Sequence, residues 1–353
     1  MNLKTNIILL KLIREASGYS QADFAKRLEL APSLLSKFEH GVLVPSNDVL
    51  VAIAEKTHYP IDFLTQPAFE ISSGLIYHRK RAALKSLDRT CVEARARLRA
   101  FDAIKIGRAN SIFANLINRE GRSPVEAAKE VRIRWGNECG PIEDMVRYLE
   151  EHGVFVLAFD FKTDKLDGFF IPIYEEDGLE SVCIALNTNS AFTPDRQRFT
   201  LAHEFGHAIL HRKEFPDPST TDFEAEANDF AAELLFPMAE AKKELNVPLT
   251  FTNLKALKIR WRISMSAVAR RALESGAVTP ANYKRTLFYL QSSGYRKSEP
   301  TFGIPSERPC LFKTLVEKMV DEGIDPDSIL HLSASRFQRR YPDIRTKGAH
   351  GMT

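Results

Sequence analysis

Cysteine is scarce in this 353-residue chain, and the four present (Cys91, Cys139, Cys183 and Cys310) form no CxxC pair. That spacing excludes a disulfide framework and a cysteine zinc knot, and it fits a reducing, cytoplasmic compartment. Long apolar runs are missing too. None approaches the roughly 20 residues that span a bilayer, so no membrane partner is expected. The opening MNLKTNIILLKLIREASGYS has no small-residue cleavage site and runs on into charged helix, so it does not read as a signal peptide. No low-complexity tract occurs and net charge is only +3, while 44% of residues are hydrophobic and 27% charged. These proportions suit a globular chain with room for two or three domains.

The charge that is present is uneven. Residues 75–108 carry ten Lys or Arg (Arg79, Lys80, Arg81, Lys85, Arg89, Arg95, Arg97, Arg99, Lys105, Arg108) against Asp88, Glu93 and Asp102. Such a strip is either a solvated helical face or a track for a phosphate backbone.

The first 64 residues read as five short helices. Ser20 is a good N-cap with Asp23 three residues on, and Phe24, Ala25 and Leu28 recur at helical spacing. Pro32 and Ser33 open a second helix through Leu34, Leu35 and Phe38, ended by Gly41 in an expected left-handed conformation. Helix, short turn, helix is the spacing of a DNA-reading unit. Through SQADFAKRL, SLLSKFEHG and VPSNDVLVAIAEKTHYPIDFL the segment resembles the phage-repressor (XRE) helix-turn-helix. That resemblance implies that Gln21 contacts phosphate and a base edge, and that Pro32, Ser33, Ser36 and Lys37 face the groove of double-stranded DNA. Glu29 stands where the family has its turn glycine, so a mildly strained left-handed residue is expected there. Lys and Arg equal Asp and Glu in number over this segment. A balanced head is a weak DNA binder alone, so the basic strip or a second copy in a homodimer would have to add affinity. The bland alternative is a small helical bundle for protein contact.

Further on, PIEDMVRYLEEHG is a helix ending at Gly153, and VFVLAFDF, DGFFIPIY and SVCIALN suggest a small sheet of three strands. A helix from about Asp195 to Arg212 then carries RQRFTLAHEFGHAILHRK. His203 and His207, four apart, project from one face, and two imidazoles so placed can grip one Zn²⁺ at about 2.1 Å. Glu204 lies beside them, placed to take a proton from an activated water. HExxH alone arises by chance in roughly one or two chains per hundred of this composition. A third ligand is needed. His211 lies about 12 Å along the axis from His203, so it reads as packing or as support for a ligand. A metzincin would need histidine where the chain has Lys213. The next helix, DFEAEANDFAAELLFP, supplies acids, and its small residues with Gly206 permit close helix approach. Glu224 and Glu226 point roughly 200° apart around it, so both cannot face one metal.

Together LDGFF, IALNTN, TPDRQRFTLAHEFGHAILH and EAEANDFAAELLFP resemble the ImmA/IrrE family of zinc metallopeptidases over about residues 140–245. The resemblance implies His203, His207 and Glu226 as ligands of one zinc per chain and Glu204 as general base. Asp229, one turn beyond Glu226, would orient a ligand imidazole. His152, Tyr174 and Arg198 are conceivable oxyanion donors, and nothing selects one. Beyond residue 250, LKALKIRWRISMSAVARRALESG either caps the catalytic core or forms a degenerate second DNA-contact unit with Arg262, Arg270 and Arg271 near phosphate. RTKGAHGMT is expected to fray.

The expected architecture is therefore α+β and mostly helical. It comprises a five-helix XRE head (1–66), a linker and basic helical region (67–130), a zincin-like, gluzincin-type peptidase domain (131–245) and a helical C-terminal region (246–353). The expected function is a DNA-binding transcriptional regulator fused to a zinc endopeptidase that cleaves a partner regulatory protein. The alternative is an antitoxin-type or stress-response transcription factor whose peptidase fold senses or binds a partner with little turnover.

Overall fold

The computed structural model describes residues 6–66, 70–71, 86–117, 121–174, 181–211, 222–295 and 298–344, with backbone only for Glu70, Ile71 and Tyr174. Most of the expected linker, the Arg79–Lys85 part of the basic strip and the RTKGAHGMT end lie outside these residues.

The head comprises α1 (Ile7–Ala16), α2 (Gln21–Arg27), α3 (Pro32–Glu39), α4 (Asn47–Thr57) and α5 (Ile61–Thr65). Its helix starts follow from local chemistry. Ser20 and Ser46 accept the backbone N–H three residues on, and Pro32 occupies the first turn of α3, where no donor is needed. Phe24, Leu35, Phe38, Ile53 and Phe63 fill the centre. Buried Glu39 takes two hydrogen bonds from Arg14, at 2.6 and 3.0 Å, and one from Gln21 at 2.9 Å. Gly41 has φ +72°, and Glu29 is left-handed at φ 56°, as the missing turn glycine implies.

After the two-residue β1 (Glu70–Ile71) comes α6 (Ser86–Ala109), then α7 (Pro124–Arg134) and α8 (Met145–Glu150). The three expected strands follow: β2 (Phe155–Phe159), β3 (Gly168–Tyr174) and β4 (Ser181–Asn187). The sheet order is β1-β3-β4-β2, with β2 parallel to β4 and the other pairs antiparallel. The segment read as linker thus contributes an edge strand, paired with Ile173 and Tyr174.

Strand periodicity divides the molecule in two. Phe155, Leu157, Phe169, Ile171, Cys183 and Ala185 face one core, shared with the head helices, α6 and the C-terminal helices. Val156, Phe170, Val182, Ile184 and Leu186 face the other, as the two-residue alternation of strands requires. The second core is completed by α7, α8, α9 (Pro194–Leu210), α10 (Phe223–Leu235), α11 (Met238–Glu244), α12 (Phe251–Trp261), α13 (Met265–Glu274) and α14 (Pro280–Ser292). The last helices, α15 (Leu311–Asp321), α16 (Pro326–Leu330) and α17 (Ala334–Arg340), return to the first core.

Two expectations change here. The described part of the basic strip is not a simple solvated face, because α6 is a central helix. Val92, Ala96, Leu98, Phe101 and Ile104 on it are buried, and Arg95 donates to the Ala16 carbonyl at 3.0 Å. The segment around α12 and α13 packs into the second core, and its arginines are engaged within the chain. Arg271 is buried and bonded to Glu233 and the Phe236 carbonyl, Arg262 pairs with Glu143, and Arg270 pairs with Glu274. The first amides of α13, at Met265 and Ser266, donate to Glu299.

Replacing Glu29 by glycine should raise stability. The left-handed cost of about 1–2 kcal/mol for a residue with a Cβ outweighs the extra chain entropy of glycine. A denaturant midpoint that rises, equivalent to up to about 1 kcal/mol, is the expected result; a fall would mean that the carboxylate itself stabilises the turn.

Candidate metal centre

Pro194 at the first position of α9, after Thr193, starts the helix that carries the histidines. Leu201, Ala202, Phe205, Ala208 and Ile209 bury one face of it. His203 and His207 follow on its flank one turn apart, and their Nε2 atoms lie 3.1 Å from each other. Across from them, Glu224 of α10 places one carboxylate oxygen 3.6 Å from His203 Nε2 and the other 3.6 Å from His207 Nε2. A tetrahedral ion with bonds of about 2.1 Å has ligand–ligand edges of about 3.4 Å. The three donors match that triangle, and two neutral imidazoles plus one carboxylate are a donor set that zinc favours. The His207 side chain is 3% exposed against 21% for Glu224, so the cluster opens on the carboxylate side, where a fourth ligand could enter.

Close approach of α9 and α10 creates this geometry. A Cβ built on Gly206 would sit 3.0 Å from the Phe230 ring and 3.3 Å from the Ala227 carbonyl. Ala227 and Ala231 are fully buried at the same contact. Larger residues would push the carboxylate away from the imidazoles.

The second ring nitrogens are also engaged. His203 Nδ1 lies 3.1 Å from Asn228 Oδ1, which can only accept if the ring donates. His207 Nδ1 lies 3.0 Å from His211 Nδ1, and His211 Nε2 lies 2.9 Å from Glu226. A carboxylate at the end of this chain makes His211 Nε2 the donor, so His211 Nδ1 accepts from His207. Both imidazoles beside Glu224 are thereby held in the tautomer that turns Nε2, as a lone pair, toward the common point. Glu204 accepts a hydrogen bond of 3.1 Å from the Phe170 amide on β3.

In the head, Pro32, Ser33 and Lys37 are exposed on α3, with Ser36 partly so. The Gln21 side chain at the start of α2 is anchored on Glu39, itself bonded to Arg14. The surface that a helix-turn-helix presents to DNA is therefore built on a buried ion pair.

Two family models match these regions. Residues 149–273 match Peptidase M78, the IrrE N-terminal-like domain, and residues 10–64 match the Helix-turn-helix family. The two matches fit a fusion of the ImmA/IrrE type. No curated protein matches it. In this fusion the peptidase match runs through α12 and into α13, whose residues Leu254, Trp261, Met265 and Val268 share the core beneath α9 and α10.

Within that frame, several site residues stand elsewhere than the sequence suggested. The expected third ligand, Glu226, faces His211 and not the His203–His207 pair; Glu224 occupies that place. The reason is rotational: two residues are 200° of α10, and the helix is turned so that Glu224 and Asn228, one turn apart, share the flank beside His203. Asp229 does not reach an imidazole. It borders a cavity against α13, and partial loss of water, then the Glu274 carboxylate, holds it above its usual range. Asn228 performs the orienting contact expected of Asp229. His211 supports His207 through its ring, as its spacing allowed.

Two of the three conceivable oxyanion donors are occupied. His152 stacks on Trp135 at 4.0 Å and contacts the Tyr148 carbonyl, while fully buried Arg198 bonds Glu307 and the Ile142 carbonyl. The Tyr174 side chain is outside the described residues. Sequence reasoning passed over Asn228, although its place one turn after an acid was the available signal.

Zinc content separates the two acids. Glu224→Gln should reduce zinc by elemental analysis to a small fraction of one per chain after dialysis against chelator. Glu226→Gln, which cuts the support of His211, should retain zinc with affinity weakened about 10–100-fold. Loss in Glu226→Gln with retention in Glu224→Gln would reverse the assignment.

Proposed function

We propose that the chain is a DNA-binding regulator whose peptidase domain, loaded with one zinc, hydrolyses a peptide bond in a partner regulatory protein. The convergence of His203, His207 and Glu224 on one point, with Glu204 alongside, carries this reading. His203, His207 and Glu224 would hold the metal, and zinc when bound supplies an acidified water and polarises a carbonyl.

The remaining chemistry belongs to the chain. Glu204 is the proton acceptor. Its hydrogen bond from the Phe170 amide holds the carboxylate in place. The Glu226–His211–His207 series holds one ligand ring in place, and Asn228 holds the other. Phe170 stacks beside His207 at 6.0 Å and Phe199 lies beside His203 at 6.2 Å, so apolar rings flank the site and limit water.

Two features suit a peptide substrate. The Phe170 amide points from the edge of β3 that is not bonded to β4, where an extended chain could align. A cavity of about 550 Å³ adjoins the centre through Phe199 and Asn228, with Leu235, Phe236 and Ile263 on its walls and Arg270 among its polar residues. It would accept an apolar substrate side chain. The α2–α3 surface of the head would bring this activity to DNA, with Gln21, Pro32, Ser33, Ser36 and Lys37 toward the groove and a second copy supplying the other half-site.

Glu204→Gln should keep its zinc and still hold a partner captured in cells, while cleavage of that partner falls at least about 100-fold. Equal cleavage by both proteins would remove Glu204 from the mechanism. Equal regulation in cells, without cleavage by either, would favour a partner-binding module with little turnover. On duplex operator DNA, Lys37→Ala should lower the slope of log affinity against log salt by about one phosphate contact. An unchanged slope would move the DNA surface away from α3.

A further inference from the structure

A second cavity lies on the far side of the sheet from the metal centre. It has a volume of about 390 Å³ and sits where the head, α6 and α17 meet. Five arginines line it: Arg95 and Arg99 from α6, and Arg336, Arg339 and Arg340 from α17. Ala16, Ser17 and Tyr59 of the head complete the wall, with Phe159 and Asp160 from the end of β2.

The charges in this wall are not balanced. Of the five arginines, only Arg340 forms an ion pair with a described residue, buried Asp102. Asp160, the one acidic residue of the lining, is already paired with Lys162 at 2.8 Å. Four guanidiniums therefore share the cavity without a carboxylate partner among the described residues. Like charges gathered in a partly desolvated space repel, and the arrangement is unfavourable unless an anion is supplied.

Donors are also held in position. Arg336 lies over the Tyr59 ring at 4.1 Å and Arg99 over the Phe159 ring at 4.3 Å. A guanidinium stacked by its face keeps its in-plane N–H groups available at the edge. Buried Arg336 Nε has no hydrogen-bond partner. Arg95 is braced by the Ala16 carbonyl at 3.0 Å and Arg99 by the Arg95 carbonyl at 3.3 Å, which leaves most of their five donors each unspent.

The geometry points to a binding site for a small, multiply phosphorylated anion. Planar guanidinium forks match phosphate oxygens in pairs, and several of them around one cavity select a ligand with several negative charges. The volume is that of a small-molecule pocket. None of the five candidate DNA-contacting residues lines it. Such a ligand would bridge the head to α6 and α17, so its binding would clamp the DNA-reading helices to the rest of the chain. The inference is independent of the peptidase reading.

The test is calorimetric titration of the full chain with inorganic tripolyphosphate at physiological salt, with inorganic phosphate as the comparison. Tripolyphosphate should bind once per chain and at least tenfold tighter than phosphate. Arg336→Gln and Arg339→Gln should each weaken it about tenfold, while Arg308→Gln, an exposed site off the cavity, should not. Arg339 is exposed, so its variant should melt with the parent and answer for any folding defect in Arg336→Gln. Absence of saturable binding overturns the proposal. So does a signal that persists unchanged in both α17 variants, which would report chelation of metal by the probe. Loss of duplex DNA binding in those variants without tripolyphosphate binding would assign the arginines to DNA and also overturn it.

Discussion

The contact between α9 and α10 at Gly206, Ala227 and Phe230 is the constraint on which the metal centre depends. Without a side chain at 206, α10 settles close enough for the Glu224 carboxylate to stand 3.6 Å from both imidazoles. The same contact determines which way α10 is turned about its axis. Glu224 and Asn228 fall on one flank and Glu226 on another, where it reaches His211. Phe205 and Phe230 pack edge to face at the contact, and fully burying a side chain of that size contributes about 1.5–3 kcal/mol. The His203–His207–Glu224 arrangement is thus held by apolar packing beneath it.

Around that contact, acids from the C-terminal third act as caps for helices elsewhere in the chain or at distant positions. Glu307 accepts from the Met145 and Val146 amides of α8 and pairs with Arg198 of α9. Glu299 caps α13 and pairs with buried Lys258, which also holds Asp195 at the start of α9. In the reverse direction, Glu150 accepts the Cys310 and Leu311 amides at the start of α15. Removing one partner of such a buried pair is costly, because the other is left charged and unmatched. These pairs orient α9 from its N-terminal end while α10 holds it from the side. Burial alone would hold Arg198 below and Glu307 above their usual ranges, and each charge acts against that in the other.

The sheet separates two environments. Its one face carries the core under the metal centre, and its other face carries the core shared with the head, α6 and α15–α17. The DNA-reading helices and the arginine-lined cavity lie on the second side. No contact between the metal centre and the cavity is needed for each to work, yet both rest on alternate residues of the same strands.

Local chemistry along the chain determined a great deal. The cap at Ser20, the glycine stop at Gly41, the left-handed Glu29, the three short strands and the one-turn spacing of His203 and His207 all depend on near neighbours. Each was legible because its physical cause lies within four residues. The third acid was not. Glu224 and Glu226 are chemically identical and two positions apart, and only the rotation of α10 against α9 distinguishes them. In the same way, a run of arginines on α6 reads as a solvated strip until α1, β2 and α17 close around it. What the tertiary structure alone decided is which side chains from distant segments share one small volume, because that depends on how helices pack and not on any spacing along the chain.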